Sequence, residues 1–330
     1  MQEGIEIGYD RGDKCPVPTV SLSDISQNSP CIQWKTVSPL TIHNRLSHSL
    51  GDLLVLVREA GEKILEVYAE KFEVFLKSDL SPLTLADQQS HDTLFEGLPR
   101  LLDVPVLSEE GQTIHFSERS SWKTFWSADP LDGTKEFVRR TGDFCVSVGL
   151  IHDHAPLFGV IYIPIEDKIY FGSRDLGSHM IQGEQIRELS GLSAPAVLGR
   201  SRPIDSGNES PKREWVLIGS ASHGAELPPE IDRKLRAKHS FSVQSVGSAI
   251  KFCRIAEGAA DFYPRVGTTM EWDTAGGQAI VEASGGELLT VPSNHPLRYN
   301  KESLENPNFF CFGRRFAQEY PELVMPHPER

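Results

Sequence analysis

The most constraining feature of this chain is a short apolar run that ends in acid. Phe125-Trp126-Ser127-Ala128 leads directly into Asp129-Pro130-Leu131-Asp132-Gly133-Thr134. Taken alone, Asp-Pro and Asp-Gly are turn dipeptides. In context, a buried strand delivers two carboxylates into one tight turn, and the Gly-Thr that follows can open a helix. Hard divalent cations take oxygen ligands, and two carboxylates with an intervening backbone carbonyl supply them. The amides of Gly133 and Thr134 would then face whatever anion the cation binds.

Two more acidic clusters carry the same logic. Ser108-Glu109-Glu110 follows the extended run Val104–Leu107, which puts its carboxylates at a strand end. Glu271-Trp272-Asp273-Thr274-Ala275 sets an aspartate at the start of an Ala/Gly-rich helical stretch. Alone, Glu109 reads as half of a solvated acidic pair and Asp273 as a helix N-cap. One carboxylate from each, added to the Asp129/Asp132 pair, would suit a multi-metal site; spacing alone does not bring them together.

Length and charge narrow the partners. The 330 residues fit two domains, with 39% apolar and 24% charged residues, an ordinary globular composition. With 33 basic and 46 acidic residues the net charge is −13, which argues against nucleic-acid polymers and anionic membranes as partners. A small anionic substrate remains compatible if a bound cation inverts the local field. The longest apolar stretches stop far short of a membrane span; Leu53–Val57 breaks at Arg58. The first residues include Glu3, Glu6 and Asp10 and do not read as a secretory signal. Five scattered cysteines without a C-x-x-C suggest neither a disulfide framework nor a zinc site, so a reducing cytoplasm is the expected location.

Periodicity supplies the organisation. Residues 1–40, with Pro16, Pro18, Pro30 and Pro39, read as an arm or partly disordered extension. Leu46, Leu50, Leu53, Leu54, Val57, Ala60, Ile64, Leu65 and Tyr68 predict one long amphipathic helix from about Thr41, and a second is expected over Ala86–Leu98. Phe144–Ile151, Leu157–Ile163 and Lys168–Phe171 read as an antiparallel meander. The polar interval Gly191–Pro211 reads as a loop between a 41–190 half and a 191–330 half. Beyond it, strands at Trp215–Gly219, Asp261–Tyr263 and Glu287–Thr290 alternate with helices at Ser248–Glu257 and Thr274–Ser284, which reads as α/β layering.

Together, Asp129-Pro-Leu-Asp132-Gly-Thr134, the upstream Glu109-Glu110 and the downstream Trp272-Asp273-Thr-Ala-Gly resemble the inositol monophosphatase superfamily of metal-dependent, lithium-sensitive phosphatases, in order and spacing from about residue 45 to 315. Ser81-Pro-Leu-Thr-Leu-Ala-Asp87, Lys135-Glu136-Phe137, Gly247-Ser-Ala-Ile-Lys251-Phe-Cys and Tyr263-Pro-Arg265 resemble its 3′(2′),5′-bisphosphate nucleotidase branch, the CysQ type, associated with sulfur assimilation. Two departures from the family are visible: Gly276 stands where alanine is frequent, and Ser127-Ala128 replaces a more apolar pair.

The resemblance implies a mixed α+β, layered α-β-α-β-α sugar-phosphatase fold and two or three Mg²⁺ ions. Position by position, it implies Glu109, Asp129 and the Leu131 carbonyl as ligands of a first metal. Asp129, Asp132 and Asp273 would hold a second, and Asp87 with Thr134 would orient and help deprotonate the attacking water. It further implies Ser248, Lys251 and Arg265 against the nucleotide's phosphates or ribose, and His223 near adenine. Spacing leaves Lys251 equally readable as a surface lysine one helical turn from Ser248, and a lone loop histidine such as His223 is more often a surface residue.

The expected reaction is hydrolysis of adenosine 3′,5′-bisphosphate to AMP and phosphate, and of its 5′-phosphosulfate analogue in the same way, by metal-activated water. Uncatalysed monoester hydrolysis is among the slowest biological reactions, and two cations about 3.5–4 Å apart meet that demand, with the Gly133 and Thr134 amides cradling the phosphoryl oxygens. The alternatives are an inositol monophosphatase or inositol polyphosphate phosphatase, and a non-catalytic nucleotide-sensing protein. A binder has no need of the water-orienting pair.

Overall fold

The computed structural model describes residues 39–77, 82–207, 214–220 and 227–324. The 1–40 arm therefore lies outside the described residues except for its last two positions. Strand alternation builds the architecture. A hairpin of β1 (Val74–Leu76) and β2 (Pro82–Thr84) stands apart from two larger sheets. The first of these runs in chain order through β3 (Val106–Ser108), β4 (Thr124–Asp132), β5 (Cys145–His152), β6 (Ala155–Ile163), β7 (Lys168–Ser173), β8 (Gly177–Gln182) and β9 (Arg202–Ile204). The second comprises β10 (Trp215–Ser220), β11 (Phe241–Val246), β12 (Phe262–Arg265), β13 (Glu287–Thr290) and β14 (Phe309–Phe312), in the order β11-β10-β12-β14-β13. The helices are α1 (Pro39–Tyr68), α2 (Leu85–Leu101), α3 (Phe116–Arg119), α4 (Thr134–Val138), α5 (Ala194–Leu198), α6 (Pro229–Lys238), α7 (Ile250–Ala256), α8 (Glu271–Ala283), α9 (Arg314–Glu319) and α10 (Pro321–Val324).

Successive strand residues enter different cores, because side chains alternate across a pleat. Val146, Val148 and Leu150 of β5 pack under α1 and α2, with Leu53, Leu54 and Val57 of α1 fully buried against them. Cys145 and Ile151 face the other way, toward α7 and α8. In the second sheet, Phe309 and Cys311 join that same central core. Phe310 and Phe312 instead pack with Leu235 of α6 and Phe316 of α9. The result is five layers, α-β-α-β-α, as the family resemblance implied.

Small residues set the distance between α8 and the first sheet. A Cβ placed on Gly276 would stand 2.9 Å from the Val148 carbonyl oxygen and 3.0 Å from the Ser147 hydroxyl. Glycine at 276 is thus a packing requirement of this chain: alanine would push the helix outward. The close approach matters for function because α8 carries Asp273.

The meander β5–β6–β7 is antiparallel, as read from the sequence. The Gly191–Pro211 interval is only partly loop; it contains α5 and β9, and β9 still pairs with β8 of the first sheet. The passage between sheets falls between residues 204 and 215, overlapping the end of that interval. Strands β8 and β11 carried little sequence signal because both are weakly apolar, Gly-Ser-His-Met-Ile-Gln and Phe-Ser-Val-Gln-Ser-Val. Their places come from neighbours with stronger patterns. Helix α7 starts at Ile250, two residues later than the periodicity suggests, since Ser248 has a φ of +51° and cannot be helical.

Candidate active site

Strand β4 aims the first acid. Trp126 and Ala128 face the α1/α2 core and Phe125 faces the α7/α8 layer, so alternation turns Asp129 toward α8. Pairing with β5 shifts register between Asp129 and Asp132, an irregularity that re-aims side chains at the end of a strand. Within it, Asp129 Oδ1 accepts the Leu131 amide at 3.0 Å. Strand β3 runs parallel to β4, pairing Ser108 with Ala128, and the Glu109 amide donates to the Ala128 carbonyl at 3.1 Å. Glu109 therefore leaves its strand beside Asp129. Neither Glu109 nor Glu110 is the freely solvated acid that the sequence alone suggests: Glu110 keeps only 8% of its side chain exposed and both pair with Lys77.

Asp273 arrives from the far side of the sheet. The N-cap of α8 is Met270, not Asp273; the aspartate sits three residues in, and its Oδ2 accepts the Met270 amide at 2.8 Å. Carboxylate oxygens of Glu109, Asp129 and Asp273 lie within 4.8 Å of one another. Asp132 completes the acidic wall, with its Oδ2 accepting the Ala249 amide at 2.5 Å.

Charge is costly in this arrangement. Burial, and then repulsion from Glu109, Asp132 and Asp273, pushes the Asp129 carboxyl far above the usual carboxylate range. Asp273 is pushed up by burial and by Asp132. Asp132 rises to about 6, mainly through burial, although the Lys251 ammonium and the Ala249 amide oppose it. An all-oxygen set of converging acids, unfavourable to ionise alone, matches the donor chemistry of hard divalent cations.

Beside the acids lies a polar pair from two other elements. Thr84 caps α2, and Asp87 closes the capping box: its Oδ2 accepts the Thr84 amide and hydroxyl, each at 2.7 Å. The opposite oxygen, Oδ1, accepts the Thr134 hydroxyl at 3.1 Å. The capping bonds thus fix one edge of a 1%-exposed carboxylate and leave the other on Thr134. Gly133 permits the turn into α4 with a φ of +96°, and a Cβ there would meet the Asp143 carbonyl oxygen at 2.8 Å.

These groups line one open cleft. Its lining includes Glu109, Asp129, Leu131, Asp132, Gly133, Thr134 and Asp273, together with Ser248, Lys251 and Arg265. The structure therefore brings together every site residue expected from the sequence except two. Asp87 stands behind Thr134 rather than in the wall, and His223 lies outside the described residues.

Lys251 is not a surface lysine. It is 5% exposed, with its ammonium donating to the carbonyls of Val246 (3.2 Å) and Ser248 (2.5 Å) and lying over the Tyr263 ring. An ammonium has three donors, and two are spent on the loop that holds Ser248 in its left-handed conformation. Burial lowers its pKa, opposed by the Asp132 carboxylate. Arg265 donates to the Thr268 carbonyl at 2.6 Å, while its Nε is buried without a partner.

Two groups escaped the sequence reading. Asp143 accepts the Gly247 amide at 3.1 Å and so helps to hold the Ser248 loop. Lys77, following β1, reaches Glu109 and Glu110 across 32 and 33 residues. Neither belongs to a local motif, so only the fold reveals them.

A sequence model of the inositol monophosphatase family matches residues 53–321. The chain is 35% identical over 264 residues to the 3′(2′),5′-bisphosphate nucleotidase CysQ of Escherichia coli O157:H7, covering 79% of this chain and 98% of that protein. The crystal structure of CysQ from Bacteroides thetaiotaomicron, a bacterial member of the inositol monophosphatase family, is similar with a TM-score of 0.71 at 38% identity, covering 83% and 98% of the two chains. The suhB protein of Bartonella henselae shares the fold at 20% identity and a TM-score of 0.61, covering 86% and 98%.

Proposed function

The chain belongs to the inositol monophosphatase family, and from that premise we propose that its cleft hydrolyses a phosphate monoester on a nucleotide. The activity is that of a 3′(2′),5′-bisphosphate nucleotidase, as in the CysQ relatives. Its substrate is adenosine 3′,5′-bisphosphate, cleaved at the 3′-phosphate to AMP and phosphate. The observation that carries the reading is the convergence of Glu109, Asp129 and Asp273 beside the Asp87–Thr134 pair.

Glu109, Asp129 and the Leu131 carbonyl would hold one Mg²⁺, and Asp129, Asp132 and Asp273 a second, with Asp129 shared. Bound divalent cations supply Lewis-acid charge to the phosphoryl oxygens and ease deprotonation of water. The protein's own groups do the rest. Asp87, fixed by Thr84, accepts the Thr134 proton, which leaves the Thr134 oxygen free to accept one from an attacking water. The Gly133 and Thr134 amides are proposed to cradle the equatorial oxygens. Ser248, Lys251 and Arg265 line the same cleft and are proposed to meet the second phosphate and ribose. Lys251 can offer its third proton there while its other two hold the loop.

A phosphate-release assay on adenosine 3′,5′-bisphosphate and inositol 1-phosphate, with Mg²⁺ and with chelator, tests the assignment. Turnover of the nucleotide at least tenfold above inositol phosphate, lost on chelation, is expected. Preference for inositol phosphate would overturn the substrate, and full activity in chelator would overturn the metal.

A further inference from the structure

The acidic cluster carries a cation of its own. Lys77 follows β1 of the two-stranded hairpin, and among the described residues β1 pairs only with β2. Its ammonium lies 2.7 Å from Glu109 Oε1 and 2.5 Å from Glu110 Oε1. Glu109 is also one of the three residues whose oxygens converge within 4.8 Å. The lysine side chain is 19% exposed and that of Glu110 8%, so this contact is largely withdrawn from water. It also ties down the end of the strand, of which the described side chains Val74 and Phe75 are 42% and 56% exposed.

We infer that Lys77 is a built-in counter-ion for the cluster, occupying Glu109 in the metal-free protein and competing with the incoming cation for that carboxylate. The inference rests on the metal reading above. A carboxylate oxygen that accepts a hydrogen bond from an ammonium at contact distance offers less electron density to a metal, and two positive charges on one carboxylate repel. Binding at Glu109 would therefore loosen the Lys77–Glu109 contact, while Glu110, outside the converging set, gives the ammonium a second partner to rest on. Such a device lowers the electrostatic cost of folding an empty site. Its consequence is weaker affinity for the first cation, so that the metal can exchange.

The test uses the full chain without substrate. Binding of Mg²⁺ alone is followed by calorimetry, and thermal unfolding is measured in chelator, for wild type, Lys77→Met, Lys77→Gln and Lys77→Arg. The neutral variants should bind Mg²⁺ about three- to fivefold more tightly, the range expected for a partly exposed ion pair. Their Tm in chelator should fall, and Lys77→Arg should stay near wild type in both measurements. Unchanged or weaker binding by both neutral variants would overturn the inference while leaving the metal reading intact. Tighter binding without loss of metal-free stability would also overturn it, by reducing the effect to a field felt at a distance. Failure of the wild type itself to bind Mg²⁺ would overturn the metal reading and this inference with it.

Discussion

The two walls of the cleft are built by different means. On the acidic wall, Asp129 stands at the register shift within β4, Asp132 at that strand's end, Glu109 just beyond β3, and Asp273 in the first turn of a 13-residue helix. That helix is held against the sheet so closely that position 276 has no room for a Cβ. On the adjoining wall, Ser248 sits in a loop with positive φ, secured by the buried Lys251 ammonium, the Asp143 carboxylate and the Asp132–Ala249 bond. Regular structure gives the acids their fixed geometry, which electrostatic catalysis requires. The other wall relies on a few polar contacts, where a change of residue retunes fit at small cost to the fold.

The largest effect should come from the acidic wall. Asp129→Asn removes charge that the proposal shares between two cations, so kcat should fall at least a thousandfold on every substrate. The fold should persist, because the lost negative charge relieves repulsion in a buried cluster. A purified variant keeping more than about a tenth of wild-type kcat would break the contrast between the walls.

A smaller, selective effect is expected on the adjoining wall. Lys251→Ala should lower kcat/KM for adenosine 3′,5′-bisphosphate by about one to two orders of magnitude, the worth of one charge-assisted contact. A simple monophosphate should be little affected. Because Lys251 also ties down Val246 and Ser248, equal losses on both substrates would assign it to loop support alone.

The smallest effect is on stability. Asp132 has its folded-state pKa raised to about 6 and Glu110 to about 7, in both cases chiefly by burial. A carboxyl raised in this way binds more protons folded than unfolded, so metal-free stability should fall as pH rises from about 4 through 7. In chelator, wild type should gain a few degrees of Tm between pH 8 and pH 5 relative to Asp132→Asn, of order 1–3 kcal/mol. An identical pH response of the two proteins would show that the acidic wall is not strained.

Legibility in the sequence followed the same division. Asp129, Asp132, Gly133 and Thr134 were readable because one strand-turn-helix unit brings them together within six residues. The long helix α1 was readable because apolar residues recur along 30 positions. Strands β8 and β11 were not, since their alternation is weak and their neighbours position them. Nor was the bonding of Lys251: its spacing from Ser248 is equally compatible with water, and the fold turns it inward.

By itself, then, the chain carried the motifs by which it resembles its family, and that resemblance implied the five layers. Periodicity and turn chemistry, which act over a few residues, marked the long helix, the meander and the Asp129/Asp132 pair. Tertiary structure alone decided that Glu109 and Asp273, 164 positions apart by their numbering, point oxygens at the same few ångströms as Asp129. It also decided that Lys77 pairs with Glu109 and Glu110 and that Lys251 ties down the Ser248 loop. Charges separated by many residues interact through space, and only the packing of α8 onto the sheet, at glycine distance, sets that space.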